Sequence, residues 1–300
     1  MNEIKIRTSP AYSVFTGSGF IDQAGTLIKK YVSVCKALII SDETVFSLYG
    51  ERLVNSLLSD GFNCEKYIIA PGEQSKSAEN LFSLWNTLQN KNFTRSDLII
   101  SLGGGVVSDL GGFAAATYMR GIKHIIFSTT LLSMADAGVG GKTAINLNGR
   151  KNTVGTFYEP AAVFCDTDTL KTLPENIYAD GMAEIIKCGF ICSPELLTDI
   201  ENNASVEKLL SQAVEIKKYF VELDEKDTGI RHKLNFGHTL AHSAEMLSNG
   251  TISHGSAVAM GMAEITAAAV RHGLCEKNVE NTLLTLLKKY NLPSKLPFNT

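Results

Sequence analysis

The sequence predicts an α/β domain built on an open parallel sheet, followed by an all-α domain, and three observations carry that reading. Short β-branched runs alternate with helical stretches through the first half; those runs are apolar throughout; and after "VFCDTDTLKTLP" the strand signal stops. Strands apolar on both faces belong to a parallel sheet covered on each side by helices. A length of 300 residues is about twice that of a typical single domain and agrees with two domains.

In chain order the first half reads "CKALIISDE" then "TVFSLYGERLVNSLLSDG", "EKYIIAPGE" then "SAENLFSLWNTLQN", "SDLIISLGGG" then "VVSDLGGFAAATYM", and "HIIFSTT" then "LLSMA". Each pair is a strand followed by a helix. From Pro174 the pattern is helical: "PENIYADGMAEIIKCGFI", "SPELLTDIENN", "SVEKLLSQAVEIKKYFVELDE", "GHTLAHSAEMLSNG", "HGSAVAMGMAEITAAAVRHG" and "NVENTLLTLLKKYN". The domain change is placed near residue 173, giving domains 1–173 and 174–300, with no internal repeat or low-complexity tract in either.

Hydrophobic residues make up 44% and charged residues 20%, as in an ordinary soluble globular chain. A net charge of −3 excludes a general attraction to nucleic acid or to an anionic membrane, so any basic site is local. The start, "MNEIKIRTSP", has no apolar core before a small-residue cleavage site, and no apolar run approaches the roughly 20 residues that cross a bilayer. A soluble, cytoplasmic protein is expected. Six cysteines (Cys35, Cys64, Cys165, Cys188, Cys192, Cys275) form no CxxC pair and read as buried free thiols in a reducing compartment. Cys188 and Cys192 share a helical face, and a metal role for them is the weaker reading.

Residues 101–116, "SLGGGVVSDLGGFAAA", stand at the carboxyl end of a predicted strand, where open parallel sheets bind their ligands. Glycines let the backbone approach an anion, and the helix that follows offers unpaired N–H groups and a positive dipole end. The pattern is neither G-x-G-x-x-G nor a Walker loop, so a phosphate cradle and a structural turn both stand, with the cradle favoured. Asp42 ends another strand, where a carboxylate accepts hydrogen bonds from ribose hydroxyls. "DAGVGGKT" is not a Walker loop either, because the position that needs glycine is Asp136. Lys142, Arg150 and Lys151 crowd a glycine-rich segment, as a polyanionic small molecule would require; a solvated loop is the alternative.

Four of the six histidines lie between residues 232 and 254. His238 and His242 in "LNFGHTLAHSAE" are four apart on one helical face, and His254 opens the next helix. HxxxH is moderate evidence for zinc, strengthened by the third histidine. Glu184, in "GMAEIIKCGFI", lies on a helix apolar nearly all round and is expected to be buried, where a carboxylate needs a cation. Lys187, three residues on, supplies one as an ion pair, and a metal supplies the other. The two readings weigh about equally. Three protein ligands with one open position is the catalytic arrangement for zinc.

Taken together, "PGEQSK", "GGGVVSDLGGFAAATYMRG", "TTLL", "GGKTAIN", "KNTVGTFYEP", "GMAEIIKCG", "RHKLNFGHTLAHSAE" and "HGSAVAMGM" closely resemble the 3-dehydroquinate synthase family, in order and over nearly the whole chain. The resemblance implies a Rossmann-like NAD-binding half, a helical metal-binding half and an active site between them, in an enzyme that is often a homodimer. It implies that Glu184, His238 and His254 bind zinc, or cobalt in its place, and that His242 faces substrate instead of metal. The implied NAD contacts are Asp42, Glu73, Lys76, Gly105, Val106, Val107, Ser108, Asp109, Thr129, Thr130, Lys142, Lys151, Thr169, Leu170, Lys171 and Thr172. The implied substrate residues are Arg120, Asp136, Lys142, Asn152, Lys187, Lys217, Arg231, Asn235 and His242. The implied chemistry converts 3-deoxy-D-arabino-heptulosonate 7-phosphate to 3-dehydroquinate and phosphate, by oxidation with NAD, phosphate elimination, re-reduction and aldol cyclisation, as a step of the shikimate pathway. Two departures stand out. The family continues past "NLPSKLPFNT" with a helical segment carrying Asp-Lys-Lys, so that either the sequence is truncated or its basic cluster is one lysine short, and Ser128 replaces a usual proline. The competing readings are a sister sugar-phosphate cyclase making an aminated or valiolone-type ring, a metal-dependent polyol dehydrogenase, and a domain that binds NAD without turnover. Arg231, Asn235 and His242 favour the dehydroquinate pocket over the first, and Glu184 stands where the polyol dehydrogenases usually have Asp.

Overall fold

The computed structural model describes residues 1–248 and 251–297, and the chain divides into two compact units, Met1–Lys171 and Thr172–Thr300. In the first, β1 (Asn2–Ile6), β2 (Tyr12–Gly17) and α1 (Ala24–Ile28) precede β3 (Lys36–Asp42). Helix α2 (Glu43–Val45) continues through a π turn into α3 (Glu51–Ser59) and is followed by β4 (Asn63–Ile69), α4 (Ala78–Asn90), β5 (Leu98–Gly103) and α5 (Gly105–Thr117). The unit is completed by β6 (Lys123–Ser128), β7 (Lys142–Leu147), β8 (Arg150–Phe157) and β9 (Ala162–Asp166).

Seven strands form one sheet in the order β1-β2-β9-β6-β5-β3-β4. Its body, from β2 to β4, is parallel, as the apolar runs predict. Strand β1 corrects that expectation at the edge: it pairs antiparallel with β2 and buries only Ile4 and Ile6 of its alternating pattern. Side chains of neighbouring positions enter opposite layers. Ile39, Ile100 and Phe127 pack under α1 and α3 with Leu53 and Leu57; Leu38, Ile40 and Ile99 pack under α4 and α5 with Leu84 and Leu110. From β3 the chain moves outward to β4 and then returns to β5 on the other side of β3. This is a topological switch point, and the carboxyl ends of β3 and β5 flank it.

The glycines of residues 101–116 answer two demands. Gly103, Gly104 and Gly105 turn the chain from β5 into α5. Gly111 and Gly112 lie inside the helix, where added Cβ atoms would come 2.2 Å from Ser101 Oγ and 2.4 Å from Thr143 Cγ2, so α5 rests directly on β5 and β7.

Beneath this helix His124 is 1% exposed. Its Nε2 lies 2.9 Å from Ser101 Oγ, while Nδ1 is buried with no hydrogen-bond partner. Burial pushes its pKa down to about 3. Above about pH 6.5 the ring is neutral in both states and stability does not depend on it. As pH falls from there toward 3, the unfolded chain takes up a proton that the folded one refuses, and stability drops by ~1.4 kcal/mol per pH unit. His124→Phe is therefore expected to flatten this limb of the acid-unfolding profile, followed by denaturant titration at successive pH values. An equally steep limb in the variant would refute the assignment.

The second unit is helical: α6 (Glu175–Cys192), α7 (Pro194–Glu201), α8 (Val206–Leu223), α9 (His238–Leu247), α10 (His254–Arg271) and α11 (Lys277–Lys289). Helix α6 is buried from Ala179 to Gly189 and packs against α7, α8 and α10, which makes it the central element. Ser193 Oγ caps α7 by accepting from Leu196 N at 3.2 Å, with Pro194 at the first helical position. Of the predicted helical stretch "GHTLAHSAEMLSNG", Asn249 and Gly250 lie outside the described residues, as do Phe298, Asn299 and Thr300 of "NLPSKLPFNT". The cysteine expectation needs correction. All six thiols are free, but only Cys165 and Cys188 are buried, because Cys192 falls at the end of α6 beyond its buried stretch. Among the described residues no helix is long and apolar enough to cross a membrane.

Candidate functional site

Three helices of the second unit each supply one donor to a single point. Glu184 comes from the buried middle of α6, His238 from the first position of α9 and His254 from the first position of α10. One ligand atom from each lies within 4.8 Å of the others. Glycine permits the approach of the two histidine helices: a Cβ on Gly261 would stand 2.1 Å from Gly237 O, the residue just before His238.

The carboxylate of Glu184, 1% exposed, divides its oxygens between two partners. Oε2 accepts a short hydrogen bond from Lys187 Nζ in a buried ion pair. Oε1 faces His238 Nε2 at 3.6 Å and His254 Nε2 at 3.3 Å, and it is buried without a hydrogen-bond partner. Zinc bonds of 2.0–2.1 Å in a tetrahedron separate donor atoms by about 3.3–3.4 Å. The donor set therefore fits a divalent metal. Burial works against a charge on Glu184, yet Lys187 and the two histidines hold its carboxyl well below the usual carboxylate range. Burial also works against a charge on His254, but the carboxylates of Glu184 and Glu245 push its pKa up to about 10. The pocket is built to hold positive charge.

Of the two readings for Glu184 the ion pair is present; it takes one oxygen and leaves the other facing the histidines. His242 is outside the cluster. It is exposed on α9, its ring 5.6 Å from that of His238 in an edge contact. Cys188 and Cys192 join no metal-ligating group among the described residues. Lys217 and Arg231 are buried, with Arg231 Nη1 donating to Glu225 O at 3.0 Å, whereas Asn235 is exposed.

In the first unit Gly104 precedes α5 with no side chain capping the helix start, and a Cβ there would lie 3.0 Å from Thr130 Cγ2. Thr129 N donates to Gly103 O at 3.0 Å, and its hydroxyl is buried without a partner. Open amides, a glycine turn closely packed on Thr130 and an unpaired hydroxyl form a cradle suited to a phosphate. Asp42 sits at the end of β3, where Oδ1 already accepts from Val45 N at 2.9 Å as a helix cap. Thr169 is buried, its hydroxyl donating to Asp166 O at 2.7 Å, while Lys171 pairs with Asp168 on the surface.

Lys76 is buried, bound to both Asp109 and Asn152 Oδ1. Burial pushes Asp109 up to about 6 against the pull of Lys76. Asn146 completes the network, donating to Glu73 Oε1 at 2.8 Å and accepting from Asn152 N at 2.9 Å. Asn146 and Glu245 are polar residues of the two clusters that sequence reasoning missed; each sits inside a quoted motif, "GGKTAIN" and "HTLAHSAE", without a spacing that singles it out.

One expectation fails. Lys142, Arg150 and Lys151 do not crowd together, because residues 142–157 form an antiparallel hairpin. Lys142 pairs with Phe157 at its base and Arg150 with Leu147 at its tip, a separation of about 17 Å for five strand residues. Arg120 is exposed beyond α5, with φ at 65°.

The models of the 3-dehydroquinate synthase N-terminal and C-terminal domains match residues 66–180 and 181–300. The chain belongs to the 3-dehydroquinate synthase family. Among its relatives, the 3-dehydroquinate synthase of Clostridium beijerinckii is 42% identical over 291 residues, covering 94% of this chain and 83% of that protein. The enzyme of the same name from Enterococcus faecalis is 42% identical, covering 94% and 81%. Among solved structures, the 2-epi-5-epi-valiolone synthase ValA of Streptomyces hygroscopicus, determined with NAD+ and Zn2+ bound, is 28% identical with a TM-score of 0.88, over 96% of this chain and 83% of that one. The glycerol dehydrogenase of Schizosaccharomyces pombe shares the fold alone, at 18% identity and a TM-score of 0.70, over 96% and 78%.

Proposed function

We infer that Glu184, His238 and His254 hold the divalent metal, and the Gly103–Gly105 turn with Thr129 the NAD phosphates, of a 3-dehydroquinate synthase, a phosphate-eliminating lyase of aromatic amino acid biosynthesis. The substrate is the sugar phosphate 3-deoxy-D-arabino-heptulosonate 7-phosphate, and the products are 3-dehydroquinate and phosphate. The observation that carries this reading is the buried Oε1 of Glu184, without a hydrogen bond, standing 3.6 and 3.3 Å from two imidazole nitrogens.

When bound, NAD supplies a reversible hydride acceptor and the metal a Lewis acid for a substrate oxygen. Substrate and summed products are at the same oxidation level, so NAD is regenerated within each turnover. This chain's residues supply position. Lys187 keeps Glu184 ionised and turned so that Oε1 is left for the metal. The buried cations Lys217 and Arg231 fit a role in holding the substrate's anionic groups, with Asn235 and His242 as exposed hydrogen-bonding partners. Holding phosphate and carboxylate in one orientation supplies effective molarity in place of strong acid–base groups. Lys76, tied to Asp109 and Asn152, links the helix that follows the glycine turn to the hairpin. Asp42, with one oxygen used as a cap, keeps the other for a ribose hydroxyl.

Incubation with NAD, zinc and the heptulosonate phosphate is expected to release phosphate with no net NADH. Accumulating NADH would instead support a polyol dehydrogenase. Absence of phosphate at any protein concentration would overturn the reading.

A further inference from the structure

His254 is held from both sides. Its Nε2 points at Glu184 Oε1 at 3.3 Å, and its Nδ1 lies 3.4 Å from Glu245 Oε2. His238 follows the same plan with a different acceptor, its Nδ1 lying 3.3 Å from Phe236 O while Nε2 faces Glu184. Both rings therefore spend Nδ1 on an outer acceptor and present Nε2 to one point. Glu245 is 7% exposed and lies on α9 seven residues, or two helical turns, after His238. The backbone at His254 is fixed separately: Asp180 Oδ1, from α6, accepts from Ser256 N at 3.1 Å and from Ser253 Oγ at 2.6 Å, capping α10.

A ligating histidine keeps its tautomer and ring plane through the hydrogen bond of its second nitrogen, and a carboxylate there also raises the basicity of the ligating one. We propose that Glu245 is a positioning residue of the metal site, fixing the proton of His254 on Nδ1 and aiming Nε2 at the ion. Helix α9 then acts on the metal twice, directly through His238 and through Glu245 behind His254. This rests on the metal-site reading above. The two histidines differ in kind: His238 leans on a main-chain carbonyl that no substitution removes, and His254 on a side chain that can be changed.

The test is the zinc dissociation constant of full-length parent, Glu245→Gln and Glu245→Ala proteins, by competition with a chromophoric chelator, with the visible spectrum of the Co2+ form and the unfolding midpoint of the metal-free protein. Glu245→Ala is expected to weaken zinc by about 10- to 100-fold, the usual cost of losing such a partner. It should also shift the Co2+ bands. Glu245→Gln, which keeps an acceptor without the charge, is expected to fall between parent and alanine variant. Zinc constants within twofold of the parent, with an unchanged Co2+ spectrum, would overturn the proposal. If the alanine variant does not fold, the glutamine variant decides by the same criterion. A parent that binds no zinc at micromolar concentration overturns both this proposal and the metal-site reading; a parent that binds it while both variants match it overturns this proposal alone.

Discussion

Glu184→Gln is expected to leave the protein unable to retain a stoichiometric divalent ion and to lower phosphate release by about a thousandfold, a loss of ~4 kcal/mol in transition-state stabilisation. The reason is that one carboxylate serves two partners. Oε1 is the only anionic donor facing His238 and His254 among the described metal-ligating group, and an amide oxygen there carries no charge. Oε2 accepts from Lys187, which is 2% exposed and would lose this carboxylate from its buried ammonium. Removing one member of a buried pair costs about 3–5 kcal/mol. The variant should therefore fall in two separate measurements, metal content by elemental analysis and unfolding free energy in denaturant. Retention of one ion per chain with full turnover would refute the assignment of Glu184.

The second large effect is expected from Lys187→Ala. It should lower kcat by about a hundredfold or more while the NAD dissociation constant stays within about twofold, since the family resemblance puts this lysine on the substrate, where lost orientation and transition-state charge act on turnover. The dinucleotide cradle is assigned to the Gly103–Gly105 turn of the other compact unit, whereas Lys187 contacts Glu184. The remaining carboxylate keeps the metal and the histidines as counter-charges, so this variant is expected to hold zinc better than Glu184→Gln. Fluorescence titration with NAD beside steady-state phosphate release separates the two quantities. Equal losses in both would count against a substrate-side role for the lysine.

Much of the architecture was legible because apolar patterning is a local signal. The runs "KALIISD", "LIISLG" and "KHIIFS" are strands β3, β5 and β6 of the sheet body, and their two-sided burial follows from having no polar face. The edge strand β1 and the β7–β8 hairpin carry no such signal, since "NEIKI" is mostly polar and the lysines, arginine and glycines of "KTAINLNGRKNTVGTF" read as a basic, anion-binding segment. Its Asn148-Gly149 turn was the missed signal, because Asn-Gly between two such runs marks a hairpin. The glycines of "SLGGGVVSDLGG" read as one feature in the sequence, and in the structure they form a turn followed by a helix contact.

By itself the sequence determined the layered first half, the helical second half, and the residue types and helix faces from which a metal site can be drawn, because each depends on spacing along one element. Only the tertiary structure decided that the Glu184 oxygen not taken by Lys187 faces both histidines, and that Glu245 stands behind His254. These are distances between α6, α9 and α10, set by how closely the helix backbones pack, and no periodicity within a single helix contains them.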